Sequence, residues 1–168
     1  DTRAFIGDDA QINQDAGIAT EGAVTVQAIN TTDVVSLAGS LGVSAGAAGV
    51  GAGLDIAIID KKTEAFVGSG AQVKSDGDVV IDADSSEDLL SITANAGVAS
   101  SAGIAASVSV QVIDTETYAY VEDTPSGTAA NIDAGGNISI TADGLFTTKM
   151  IAGSIGAASS VGVGASNT

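Results

Sequence analysis

A near-repeat with a period close to 55 residues constrains this chain more than any other feature. Thr2-Arg3-Ala4-Phe5-Ile6 recurs as Thr63-Glu64-Ala65-Phe66-Val67 and as Thr117-Tyr118-Ala119-Tyr120-Val121. Downstream, Gly22-Ala23-Val24-Thr25-Val26-Gln27-Ala28 returns as Gly77-Asp78-Val79-Val80-Ile81-Asp82-Ala83 and as Gly136-Asn137-Ile138-Ser139-Ile140-Thr141-Ala142. Landmarks that keep their order mark a repeat array, in which each unit buries its apolar face against the next rather than in one globular core. The copies run over about 1–61, 62–115 and 116–168 of a single continuous array, with repeat boundaries and no internal domain boundary. Neither end carries the polar capping unit that closes a solenoid, so the chain reads as a segment of a longer repeat protein.

Within one copy the periodicity is two. Val24-Thr25-Val26-Gln27-Ala28 and Ile138-Ser139-Ile140-Thr141-Ala142 alternate apolar with polar, which predicts strands with the apolar side inward. The Gly/Ala/Ser-rich runs alternate as well, with Val108, Val110 and Val112 on one face and Ser107, Ser109 and Gln111 on the other. Polar corners are expected at Asn30 to Asp33, Ser85 to Asp88, Ile59 to Lys62 and Ile113 to Glu116, and Gly42, Gly46, Gly97 and Gly103 suit turns or close sheet approach. Capped, charge-paired helical patterns are missing. Four or five strands per copy and no helix predict an all-β, parallel β-solenoid with two or three coils per sequence repeat, its narrow interior filled by Val, Ile, Leu and Ala. The alternative, a string of small β-sandwich modules, leaves each module of about 55 residues too small to bury a stable core.

Charge narrows the partners. Against 21 Asp and Glu stand 5 Lys and Arg and no His, a formal net charge of −16. No basic stripe exists to displace counterions from phosphate, which argues against nucleic acid and anionic membranes. The uncharged stretches from Val34 to Leu54, Leu89 to Ile113 and Met150 to Ala165 are rich in Gly, Ala and Ser and lack aromatic belts, so they predict a buried strand ladder rather than a membrane span. Cysteine is absent, which removes disulfides and thiolate sites and leaves the compartment open.

The same absences bear on catalysis. Without His or Cys, Ser-His-Asp and Cys-His nucleophiles are ruled out by composition, and Arg3 is the sole arginine available to support a carboxylate site. The chain is read as a non-enzyme, with a polysaccharide-active β-helical enzyme as the last of three classes. Calcium is the better chemical candidate: Asp76, Asp78, Asp82, Asp84, Glu87 and Asp88 supply hard oxygen ligands over a short stretch, although solvated turn and outward strand positions explain the same acids. No other cofactor is expected. The matched rings Phe5, Phe66, Tyr118 and Tyr120 suggest a ladder along the array. Phe is expected in the core, with Ile6, Val67 and Val121 facing out, and Tyr118 and Tyr120 are the candidate glycan contacts. Thr25, Thr93 and Thr141 form no regular ladder of the kind that orders ice.

Thr63-Glu64-Ala65-Phe66-Val67-Gly68-Ser69-Gly70-Ala71-Gln72-Val73, followed by Gly77-Asp78-Val79-Val80-Ile81, resembles the repeat regions of giant bacterial surface proteins, the filamentous-haemagglutinin-like and leukotoxin-like adhesins. The likeness spans essentially the whole chain and speaks to architecture more than to activity. It implies a right-handed β-helix, export to the extracellular space or cell surface, and a stalk or filament role in adhesion, biofilm or matrix. The implied partners are other copies, end to end or side by side, or a host or cell-surface glycan or protein. The third copy departs from the pattern where Glu122, Asp123, Thr124, Pro125, Ser126 and Gly127 replace the Gly-Ser-Gly turn; this insertion is the candidate contact loop. The competing class is a glycan- or calcium-binding module.

Overall fold

The computed structural model describes residues 1–14, 22–123 and 128–168. Its strands are β1 (Thr2–Ile6), β2 (Gln11–Ile12), β3 (Val24–Ser44), β4 (Ala48–Val67), β5 (Gln72–Ser75), β6 (Val79–Ala99), β7 (Ala102–Val121), β8 (Asn131–Ala134), β9 (Ile138–Ala158) and β10 (Val161–Asn167). They form three sheets, ordered β1-β4-β7-β10, β2-β5-β8 and β3-β6-β9. Successive turns of the chain stack parallel and in register: Thr2 lies beside Thr63, Phe5 beside Phe66, and Gln72 between Gln11 and Asn131. The fold is a parallel β-solenoid and is all-β, as the periodicity predicts.

The coil is larger than expected. Stacked partners such as Gln72 and Asn131 are separated by a full sequence repeat, so each repeat makes one coil rather than two or three. The expected polar corners account for the difference. Asn30 to Asp33 lies within β3, Ile59 to Lys62 within β4, Ser85 to Asp88 within β6, and Ile113 to Glu116 within β7. Strands of 20 or 21 residues continue through them without a break, because alternating Thr, Ser and Asp side chains leave the backbone free to bond the neighbouring coils.

Two compact units result, each drawing on all three repeats. Unit 1 comprises Asp1–Thr31, Lys61–Ser86 and Thr115–Leu145; unit 2 comprises Thr32–Asp60, Glu87–Asp114 and Phe146–Thr168. In unit 1 all three sheets surround an apolar core of Val26, Ala28, Ala65, Val67, Ala71, Val73, Ile81 and Ala83, with Ile6 and Val121 packed against it. Here the apolar side of the alternation faces inward, as expected for Val24 to Ala28. The expectation that Ile6, Val67 and Val121 face out is overturned: they point inward, and the rings beside them point out.

Unit 2 reverses the pattern. The inward rows carry Ser91, Thr93 and Asn95 of β6, Asp55 of β4, and Ser107 and Ser109 of β7, all buried. Val35, Leu37 and Leu41 of β3, Ile56 and Ile58 of β4, and Val108, Val110 and Val112 of β7 are exposed. An interior of Val, Ile and Ala is therefore found in unit 1, while in unit 2 Leu89 is the large apolar side chain that is fully buried among the described residues. Glycine supplies the reason. A Cβ built on Gly97 would lie 2.0 Å from the Ile104 carbonyl oxygen, and one on Gly51 would lie 2.3 Å from that of Ala96. Backbones this close leave little room for bulky apolar side chains, so beside these glycines the row that faces inward is made of Gly, Ala and small polar residues. The bulky row then has only the outside.

Candidate functional site

The outer face of β1, β4 and β7 in unit 1 gathers four of the chain's five aromatic side chains together with Arg3 and Lys62. Phe5, Phe66 and Tyr120 stack as a continuous column, with ring centroids 5.2 and 5.1 Å apart and planes within 8° and 3° of parallel. Parallel register places equivalent positions one strand spacing apart, which suits ring stacking. Phe66 is 9% exposed because Phe5 and Tyr120 cover its two faces, while Phe5 at the edge is 59% exposed.

Beside the column, register sets Arg3 directly against Glu64. Glu64 is 3% exposed and accepts from Arg3 Nε at 2.7 Å and from Lys62 Nζ at 2.9 Å. The Lys62 ammonium, foremost, holds the Glu64 carboxyl below its usual range, with Arg3 adding to the effect against the opposing effect of burial. Arg3 also lies 5.4 Å from the centre of the Phe66 ring and Lys62 5.3 Å from that of Tyr118, within cation–π range. Burial, chiefly, pushes the Tyr120 phenol above its ordinary value. Tyr118 and Tyr120 therefore differ: Tyr118 is exposed beneath Lys62, and Tyr120 closes the column.

The six acids singled out for calcium do not converge, and among the described residues no group of three or more acidic side chains could hold a metal ion. Alternation turns Glu87 inward and leaves Asp84 and Asp88 exposed on the opposite side of β6. Asp82 accepts from Thr141 Oγ1 at 2.5 Å and from Gln27 Nε2 at 2.8 Å, and these bonds, Thr141 first, lower its pKa. Asp78 accepts from the Asn137 backbone N–H at 2.7 Å, fastening one Gly-Asp turn to the next, and Asp76 is exposed. Of the candidate contact loop, Glu122 and Asp123 follow β7 directly, and Thr124, Pro125, Ser126 and Gly127 lie outside the described residues.

Unit 2 holds a polar cluster that the sequence reading missed. Asp55, 6% exposed, accepts from Ser36 at 2.5 Å, from Ser91, and from Ser109 at 3.1 Å. Ser91 and Ser109 also share a hydrogen bond of 2.8 Å. Hydrogen bonds from Ser36 and then Ser91 lower the Asp55 pKa despite burial. A second knot ties Asn95 to Ser40, Ser107 and the Ala106 carbonyl. The signal was present: Asp55 shares its strand face with Gly49, Gly51 and Gly53, and Ser109 is its counterpart one repeat on. A shallow depression of about 230 Å³, lined by Asp33, Val34, Val35, Asp88, Leu90 and Lys149, lies below the usual size of ligand pockets.

Comparison with protein-family models, curated proteins and solved structures finds no match. Among the described residues no helix is long and apolar enough to cross a membrane.

Proposed function

We propose that this chain is a structural repeat segment of an exported bacterial cell-surface adhesin or extracellular filament, serving as a stiff stalk or fibre and not as a catalyst. The observation that supports this reading is the stacking of like on like between coils: Thr2 on Thr63, Ala4 on Ala65, Phe5 on Phe66, and Gln72 between Gln11 and Asn131. Such a stack stiffens with every added coil, because each new strand satisfies the backbone of the last and each ring or hydroxyl extends a ladder. The acidic composition, with 21 acidic side chains against 5 basic, suits a surface in open aqueous medium. The resemblance of the Thr-x-Ala-Phe and Gly-Asp segments to adhesin repeats agrees with it.

Electron microscopy of the native cells, with an antibody raised against the chain, tests the reading. Label along surface or matrix fibres with an axial spacing of about 4.8 Å supports it. Label confined to the cell interior, or to compact particles, overturns it.

A further inference from the structure

Unit 2 wears most of its bulky apolar side chains on the outside of both sheets. Leu37, Leu41, Ile151 and Ile155 are exposed on the β3-β6-β9 face, and Ile56, Ile58, Val110 and Val112 on the β4-β7-β10 face. The sequence is free of charge from Val34 to Leu54, from Leu89 to Ile113 and from Met150 to Ala165, and Asp55 points inward. A chain of net charge −16 thus has two outer faces on which copies meet without like-charge opposition.

We propose that these faces are covered by the same faces of other copies of this chain, packed sheet on sheet, so that unit 2 is a lateral assembly module. About eleven residues at roughly 3.3 Å each, across three strands at roughly 4.8 Å, give each face a footprint on the order of 500 Å². One face packed on its counterpart buries about 500 Å² per partner, about 1,000 Å² in all, the size at which a specific interface begins, and each face matches the largest apolar patches of about 300–600 Å² found on typical monomers. The β3-β6-β9 face also has relief suited to an opposing sheet. Gly39, Ala94 and Gly153 recur at the repeat interval, between bulky positions at Leu37 and Ile151 on one side and Leu41 and Ile155 on the other. A Cβ added to Gly153 meets nothing within 4 Å, so no contact inside the chain demands its bare backbone. A furrow of this kind accepts a ridge of Leu and Ile from a facing sheet.

This inference rests on the reading of the chain as a structural segment and names the partner of that segment. Sedimentation velocity over a concentration series, with circular dichroism as the fold control, tests it on the whole chain. Four proteins are compared: wild type, Leu37→Lys with Ile155→Lys, Ile56→Lys with Val110→Lys, and all four substitutions together. Wild type forms an open-ended series, either pair of lysines on one face arrests it at dimers, and the combination is monomeric with its strand signal intact. If lysines disturb the sheet, Gly153→Glu, which projects into open space, gives the same arrest at dimers. A monomeric wild type overturns the proposal, as does association indifferent to all of these substitutions, which is coil-on-coil stacking. So does a monomer that co-sediments with phosphatidylcholine vesicles. Each of these results leaves the fibre reading standing, since that reading fails on the location of the antibody label.

Discussion

Ser109 and Val110 are consecutive in β7, yet Ser109 is 4% exposed and hydrogen-bonded to Asp55 and Ser91, while Val110 is 43% exposed. The hydroxyl is inside and the hydrocarbon outside. This inversion runs through most of unit 2, Leu89 excepted, and follows from close sheet approach, which admits Gly, Ala and small polar side chains and turns their bulky apolar neighbours outward. Asp55 is then the point on which the polar interior depends.

Asp55→Ala removes the acceptor for three hydroxyls, those of Ser36, Ser91 and Ser109. Leaving buried hydroxyls without partners costs about 2–4 kcal/mol, a drop in melting temperature on the order of 10 °C for a chain of this size. Ser109→Ala, which removes one of the three donors, costs about 1 kcal/mol. Thermal melts followed by circular dichroism measure both, and equal losses would contradict the central role of the carboxylate.

The strands, the turns between repeats and the stacking of repeat on repeat were legible, because alternation and recurrence record them directly. The inward face was legible in unit 1 from Val24 to Ala28, but not at Ile6, Val67 and Val121, and not in unit 2. In Ile104 to Ile113 the alternation of Val with Ser is as clean as in Val24 to Ala28, and hydrophobicity alone puts Val inside. The deciding fact is that the Ser row of β7 continues Gly103, whose added Cβ would lie 2.2 Å from the Ala157 carbonyl oxygen. That proximity belongs to the tertiary structure. Coil size failed for a related reason, since Asp60-Lys61-Lys62 has turn composition but sits mid-strand in β4. Recurrence aligns Arg3, Glu64 and Tyr118 without revealing the Glu64 network; it does reveal the ring ladder, in which Phe66 is buried as expected of Phe, by its neighbouring rings, and Phe5 is exposed.

Acid should loosen the fold below the ordinary carboxylate range. Hydrogen bonds from Ser36 and Ser91 lower the Asp55 pKa, Thr141 and Gln27 lower that of Asp82, and Lys62 lowers that of Glu64. The folded chain holds these protons less tightly than the unfolded chain, so unfolding takes protons up. The stabilisation is complete above about pH 4–5 and is lost as pH falls through the lowered folded values. Melting temperature against pH checks this, and in Asp55→Asn the decline below about pH 4 should be shallower. A decline as steep as wild type would show that Asp55 takes no part.

Two glycines separate packing from freedom. Gly97→Ala forces a Cβ against the Ile104 backbone at 2.0 Å and is expected to cost several kcal/mol, about 3 or more, since both strands must part. Gly153→Ala places its methyl in open space and should leave stability within about 0.5 kcal/mol of wild type. Denaturant unfolding of the two variants measures the difference, and comparable losses would contradict the close approach at Gly97.

In the ring column, position sets the cost. Phe66→Ala opens the column between Phe5 and Tyr120 and should destabilise by about 3 kcal/mol, whereas Phe5→Ala at the exposed end should cost about 1 kcal/mol. Equal effects in thermal melts would show that the stacking contributes little.

Thiol reactivity at neighbouring positions tests the inverted interior most directly. The chain has no cysteine, so Ser109→Cys and Val110→Cys each introduce a single reporter. In dilute solution, where copies are separate, the thiol at 110 should react with a small maleimide on the order of a hundred times faster than the thiol at 109, whose labelling must wait for the sheets to open. Faster labelling at 109 than at 110 would place the valines inside and contradict the account.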